Sequence, residues 1–286
     1  MTTSLPYALL DVFAARPFEG NSLTVFPLDH PIDAAQMQAI TREMRQFESI
    51  FLTPGTEATH FHARIFTMEE ELGFAGHPIL GAAVAMHRRH FTGREAVELR
   101  FSTPDKTLSV TSRQANGKWF ADMDQGKAAI AAPLEHAARP EWCAAFNLAP
   151  NDLAEGLPLQ VVSTGLPYLI VPLQRNLERA AIAVPDLEAR LAAIGAKFAY
   201  LIDVQRLEGR TWDNDGRVED AATGSAAGPV GAYLVAHGLC REGEEIVLKQ
   251  GRFVHRPSEL RVTVTADGVR VAGQVVPMGG GILETN

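Results

Sequence analysis

The sequence predicts an α+β protein made of two similar domains. One sign is a motif of strand, acidic turn, glycine and small-residue helix that occurs twice: Arg64-Ile-Phe66 stands 12 residues before Gly76, and Arg210-Thr-Trp212 stands 14 before Gly224. A second is the character of the two helices, at residues 74–86 and 223–236. They are apolar on nearly every side and dominated by Ala and Gly, so each must be buried all round and suits a tightly curved sheet that larger side chains would overpack. The third is the number of short alternating apolar segments, which raises the strand share above that of a doubly wound fold.

The elements follow in order. Residues 7–13 read as a strand, 16–21 as a turn and 23–26 as a second strand. Asp33, with Gln36 three residues on, marks a helix start, and Met37, Ile40, Met44 and Phe47 recur at helical spacing up to its expected end at Phe47. Residues 49–52 form a strand stopped by Pro54-Gly55. Strands at 60–67 and 97–102 bracket the first buried helix. Residues 159–163, 168–171 and 198–204 read as strands and 187–194 as a helix. After the second buried helix come strands at 246–248, 260–265, 269–271 and 275–276. The domains are assigned to residues 1–118, with the terminal strand 275–286 as a candidate to complete that domain, and 119–274.

The chain of 286 residues carries 26 Lys and Arg against 34 Asp and Glu, a net charge of -8, so no bulk basic surface offers itself to nucleic acid. The N-terminal residues lack a basic run and reach Asp11 before an apolar core could form, and the longest apolar stretches are interrupted by polar residues or glycine. A cytoplasmic protein without membrane partners is expected. Cys143 and Cys240 are far apart and read as two buried thiols, and His60 with His62 reads as one face of a strand, so no metal is expected. Rossmann, P-loop, serine-hydrolase and zinc-protease motifs are absent. Gly279-Gly-Gly281 reads as a place where a terminal strand bends.

Chemistry is expected at the two glycine-headed helices, whose first N–H groups and positive dipole ends would receive a carboxylate. His77 and Asp220 stand beside those starts. Glu48 follows the expected helix end at Phe47 among apolar neighbours, where the dipole and desolvation would both favour its protonated form. On residue type alone, an exposed Glu is the more frequent case.

Five blocks give the chain a resemblance to a known family. They are Asp11-Val-Phe13 with Arg16 to Asn21, Phe47-Glu-Ser-Ile-Phe51, Arg64 to Thr67 with Phe74-Ala-Gly-His-Pro78, Ser163-Thr-Gly-Leu-Pro167, and Glu219 to Gly228. In this order they resemble the PhzF-like family, named for a phenazine biosynthesis protein, which shares the diaminopimelate epimerase fold. The resemblance implies two domains that are each a β-barrel-like sheet wrapped around a central helix. It implies cofactor-independent isomerisation of a small carboxylate-bearing substrate, with Glu48 as general acid/base and His77 and Asp220 as polar partners. Gly76, Gly224 and Ser225 would supply helix-start donors, Asn21 and Ser49 would border the substrate, and a homodimer is expected. Three positions depart from the family pattern: Ala221 stands where proline usually follows the aspartate, His255 replaces a glycine, and Gly73 replaces a proline.

Diaminopimelate epimerase itself uses a thiol at each helix start, and this sequence has none there. A one-base epimerase or racemase centred on Glu48 stays open. So does a non-catalytic small-molecule binding protein on the same fold, although a carboxyl in an apolar surround would serve it no purpose.

Overall fold

The computed structural model describes residues 3–104 and 106–285. The chain separates into two compact units. One runs to Asp124 and resumes at Ala272, and the other is Gln125–Val271.

The first unit contains β1 (Thr3–Val12), β2 (Asn21–Pro27), α1 (Ala34–Met44), β3 (Glu48–Pro54), β4 (His60–Phe66), β5 (Glu71–Leu72), α2 (Gly76–His90), β6 (Ala96–Ser102), β7 (Thr107–Ala115) and β8 (Lys118–Gly126). The second contains β9 (Ala129–Pro133), α3 (Arg139–Ala145), β10 (Gln160–Ser163), β11 (Pro167–Leu173), α4 (Leu187–Ala193), β12 (Phe198–Asp203), β13 (Glu208–Arg210), α5 (Gly224–Ala236), β14 (Glu245–Gln250) and β15 (Ser258–Thr265). The chain then returns through β16 (Gly268–Thr285).

In the first unit the strands run β1-β2-β3-β4-β6-β7-β8-β16, and β16 pairs back onto β1. This is a closed eight-stranded barrel with α2 along its inside: Gly76 to His87 are buried without a break. In the second unit β15-β14-β13-β12-β11-β10-β9 wraps α5, which is buried from Gly224 to Leu234 and packs on β15, β10 and β11. The α+β class and the pair of barrel-like domains around central helices are therefore present. The small residues have the expected cause. A methyl group on Gly81 would collide with Leu23 Cδ2, and one on Gly231 would lie 2.5 Å from Val262 Cγ1, so larger residues here would push the barrel walls outward.

Four local readings change. The helix starting after Asp33, whose carboxylate accepts from Gln36 N at 2.8 Å, ends at Met44, three residues short of Phe47, as Arg45 turns into the left-handed region at φ 51°. The first buried helix begins at Gly76 and continues beyond Met86 to His90, its last turn carrying Arg88 and Arg89 near the negative dipole end. The separate strands at 269–271 and 275–276 are one strand, β16, in which Gly279, Gly280 and Gly281 lie opposite Leu9, Ala8 and Tyr7 of β1. Finally, β7, β8, β9 and α3 occupy residues to which no element was assigned. Among the described residues no helix is long and apolar enough to cross a membrane.

Candidate active site

Glu48 opens β3 instead of closing a helix, so the helix-end argument for its chemistry does not apply. What places it is the strand. β3 pairs in parallel with β2, Leu23 opposite Glu48, and period-two alternation sets Glu48, Ile50 and Leu52 on one face. That face meets α2: Glu48 Oε2 lies 3.0 Å from His77 Nε2, and both residues are buried, 8% and 4% exposed. The ring N–H is not aligned on that oxygen, so the two side chains are in close contact without a formed hydrogen bond.

Asn21, the first residue of β2, reaches the other side of the same ring, its Nδ2 3.4 Å from His77 Nδ1. An amide nitrogen can only donate, so Nδ1 accepts and the ring proton sits on Nε2, toward Glu48. The three residues thus form a buried row, Asn21–His77–Glu48, at the start of α2. Ser49 does not join it. Alternation turns its side chain to the opposite face, shared with Phe51, which packs with Phe26, Phe66, Met37 and Ile40 against α1. Ser49 Oγ is buried and has no hydrogen-bond partner among the described residues.

The second unit presents the matching helix start. Neither Ala75 before α2 nor Thr223 before α5 caps its helix with a side chain, so the leading N–H groups of Gly76 and Gly224 are not consumed by their own N-caps. Ser225 Oγ pairs with Tyr168 OH at 2.7 Å. Gln125 Nε2 donates to Gly224 O at 2.8 Å, and Thr164 Oγ1 donates to Gln125 Oε1 at 2.8 Å. Asp220 accepts from Thr223 Oγ1 at 2.6 Å and from Ala222 N at 3.2 Å. Gln250 donates to Asp220 O and Thr223 Oγ1, at 2.8 and 2.9 Å.

These contacts bear on Ala221. Without proline's fixed φ, the loop is held by Gln250 and by Ser258 Oγ, which donates to Ala221 O at 2.9 Å. Buried Tyr200, whose hydroxyl donates to Gln250 Oε1 at 3.1 Å, has its phenol pKa pushed up strongly, by burial first and by Asp220, Tyr168 and Glu208 after that, so it stays a neutral donor.

The repeat seen in the sequence has a structural basis. Arg64 holds Glu71 through two hydrogen bonds of 2.7 and 2.6 Å, and Arg210 holds Glu219 through two of 2.9 and 2.6 Å. Each acid stands five residues before its glycine, and each Arg lies over the aromatic residue two positions on, Phe66 or Trp212. Sequence reading did not assign roles to Tyr168, Gln125, Thr164 or Gln250. Thr164 and Tyr168 lie in or beside the 163–167 block, so position was the available signal for those two.

Neither thiol belongs to a helix start. Cys143 lies in α3 within the core of the second unit, and burial raises its pKa to about 11. Cys240 follows the C-terminal end of α5 and is only partly buried, which corrects the expectation of two buried thiols. Among the described residues no three His, Cys, Asp or Glu side chains gather as a metal set.

Two barrel-like units, each built on a glycine-headed helix, define a protein of the epimerase-like fold. The chain is an isomerase, the class named for its curated relatives. It is 32% identical to the trans-2,3-dihydro-3-hydroxyanthranilate isomerase of Pseudomonas chlororaphis, over 97% of this chain and 98% of that one. It is 33% identical to the uncharacterised isomerase YddE of Escherichia coli K12, over 90% and 89%. A solved structure from Pseudomonas aeruginosa, described as a predicted epimerase, PA4716, superposes with a TM-score of 0.93 at 50% identity, covering 99% of this chain and 100% of that one. Residues 10–281 match the family model for phenazine biosynthesis-like proteins, PhzC-PhzF, and the chain belongs to this family.

Proposed function

We propose that the chain moves a proton along the carbon skeleton of a small carboxylate-bearing metabolite, with Glu48 as the general acid/base and no cofactor. The observation that carries this reading is the buried contact of Glu48 with His77 at 3.0 Å. A carboxylate out of water costs free energy unless it is paired, so a buried Glu meeting a neutral Nε2–H is a group kept for proton exchange and not for packing. In the first unit Glu48 takes the proton from carbon and returns it at another position, while His77 steadies the carboxylate and follows its change of charge. Taken by itself, the second unit offers the N–H groups of Gly224 and Ser225 at the start of α5 to a carboxylate, with Asp220 beside them for a polar substituent. Proton transfer alone asks for no electron carrier or metal.

The isomerase relative names the first compound to try, trans-2,3-dihydro-3-hydroxyanthranilate. In deuterated buffer the wild type is expected to convert it with uptake of solvent deuterium at carbon. Glu48→Gln, which keeps shape and removes ionisation, is expected to bind it and lose about 10² to 10⁴-fold in rate. Near-normal exchange by Glu48→Gln would sink the mechanism. A second reading, one-base epimerisation, is favoured by the description of the 50%-identical structure as an epimerase. It needs the same glutamate, and chiral analysis of recovered amino or hydroxy acids separates the two.

A further inference from the structure

We propose that Gln250 is a positioning residue which, through the Thr223 hydroxyl, fixes Asp220 as a hydrogen-bond acceptor, so that Asp220 selects a ligand bearing an amino or hydroxyl donor and carries no proton in the reaction. The inference rests on the reading of Asp220 as part of the site. Gln250 is 1% exposed on β14, and its amide is engaged on both sides. Its Nε2 donates to Thr223 Oγ1 at 2.9 Å and to Asp220 O at 2.8 Å; its Oε1 accepts from Thr223 N and from Tyr200 OH, both at 3.1 Å.

The direction of this chain of bonds is fixed at one end. Two donors, a backbone N–H and a phenol kept neutral by burial, converge on one atom of the Gln250 amide, which makes that atom the oxygen and the other the nitrogen. The nitrogen then donates to Thr223 Oγ1, which has one hydrogen of its own and gives it to Asp220 Oδ2 at 2.6 Å. Ala222 N donates to Oδ1 at 3.2 Å. Both carboxylate oxygens are therefore approached by donors, the arrangement that favours the ionised form. An ionised Asp220 meets a ligand as an acceptor, and an amino or hydroxyl group on the substrate is the complementary partner.

The test uses the full-length protein, anthranilate and benzoate as probes, and three variants. Wild-type protein is expected to bind anthranilate, which has an amino donor, about tenfold more tightly than benzoate in calorimetry, the effect of one hydrogen bond to a charged group. Gln250→Met has no donor for Thr223, and Thr223→Val has no hydroxyl; both are expected to lose the preference and to show a turned Asp220 carboxylate in their crystal structures. Thr223→Ser is expected to restore both. In turnover, the first two variants are expected to raise KM with kcat nearly unchanged. Retention of the anthranilate preference in both variants, or an unmoved Asp220 in both crystal structures, would overturn the proposal. So would a fall in kcat as deep as that of Glu48→Gln, which would make Asp220 the proton carrier. Wild-type protein that prefers anthranilate but exchanges no solvent deuterium would defeat the isomerase mechanism and leave this assignment standing.

Discussion

Arg210 grips Glu219 edge-on, two N–H groups to two oxygens, with the guanidinium lying over the rings of Trp212 and Phe253 at 4.6 and 4.2 Å. Its remaining nitrogen donates to the carbonyls of Leu177 and Ala180 at 3.0 and 2.9 Å. Arg64 and Glu71 repeat the bidentate part in the first unit, but nearer water: those side chains are 36% and 29% exposed, against 10% and 9% for Arg210 and Glu219.

The two pairs should therefore differ in what they contribute. Arg210→Met leaves a buried carboxylate and several carbonyls without their donor and is expected to cost about 3–5 kcal/mol. Arg64→Met should cost about 1 kcal/mol or less, because solvent screens that pair. Urea denaturation of both variants checks this, and equal losses would contradict it.

Asn21 is expected to set the ring proton of His77. Asn21→Asp presents an acceptor to Nδ1, draws the proton there or charges the ring, and should reduce turnover by about 10²-fold or more. Ring ¹⁵N shifts of His77 report the change directly. Unaltered shifts would mean that another group decides the tautomer.

His255 stands at φ 58°, in the left-handed region, where the family pattern has glycine. A side chain with a Cβ pays about 1–2 kcal/mol there, offset in part by glycine's greater freedom when unfolded. His255→Gly should raise stability by up to about 1 kcal/mol, measured by thermal melting; a clear loss would show that the imidazole makes a contact worth more than the strain.

Burial raises the Cys143 thiol from its ordinary 9.0 to about 11, helped by the charge of Asp152 and opposed by Arg139. The folded state thus prefers the neutral thiol. Its contribution to stability is complete below the unfolded value near 9 and is lost as pH rises through about 11. Cys143→Ala should flatten that part of the stability profile relative to wild type, and native Cys143 should resist alkylation at pH 8 until the protein unfolds.

Much of this fold could be read because a buried all-apolar helix and a duplicated Arg-x-aromatic, acid, glycine order leave marks that need no tertiary knowledge. The missed β7–β8 hairpin had a local signal as well: Asn116-Gly117, both at positive φ, is a favoured two-residue turn. Helix length was misjudged because Phe47 fits the helical spacing while Arg45 gives no sequence sign of a left-handed cap. At the site, Glu48 and His77 were legible from the family blocks. The side assigned to Ser49 was not, because a strand's two faces are told apart only when its partners are known, and here both faces are buried. Gln250 was hidden for a related reason: its bonds join parts of the chain about 30 residues apart.

β16 closes the first barrel by pairing, from Val275 to Thr285, with β1, which begins at the opposite end of the chain. During synthesis the ribosome must therefore complete the whole second unit before the first can shut, a wait on the order of ten seconds at ordinary elongation rates. Through that interval β1 has an open edge, and edges of this kind recruit other strands. The pairing of residues 275–285 thus ends the aggregation hazard of β1, and a nascent chain stalled or truncated before Val275 would be a substrate for chaperones even though Glu48, His77 and Asp220 had all been translated.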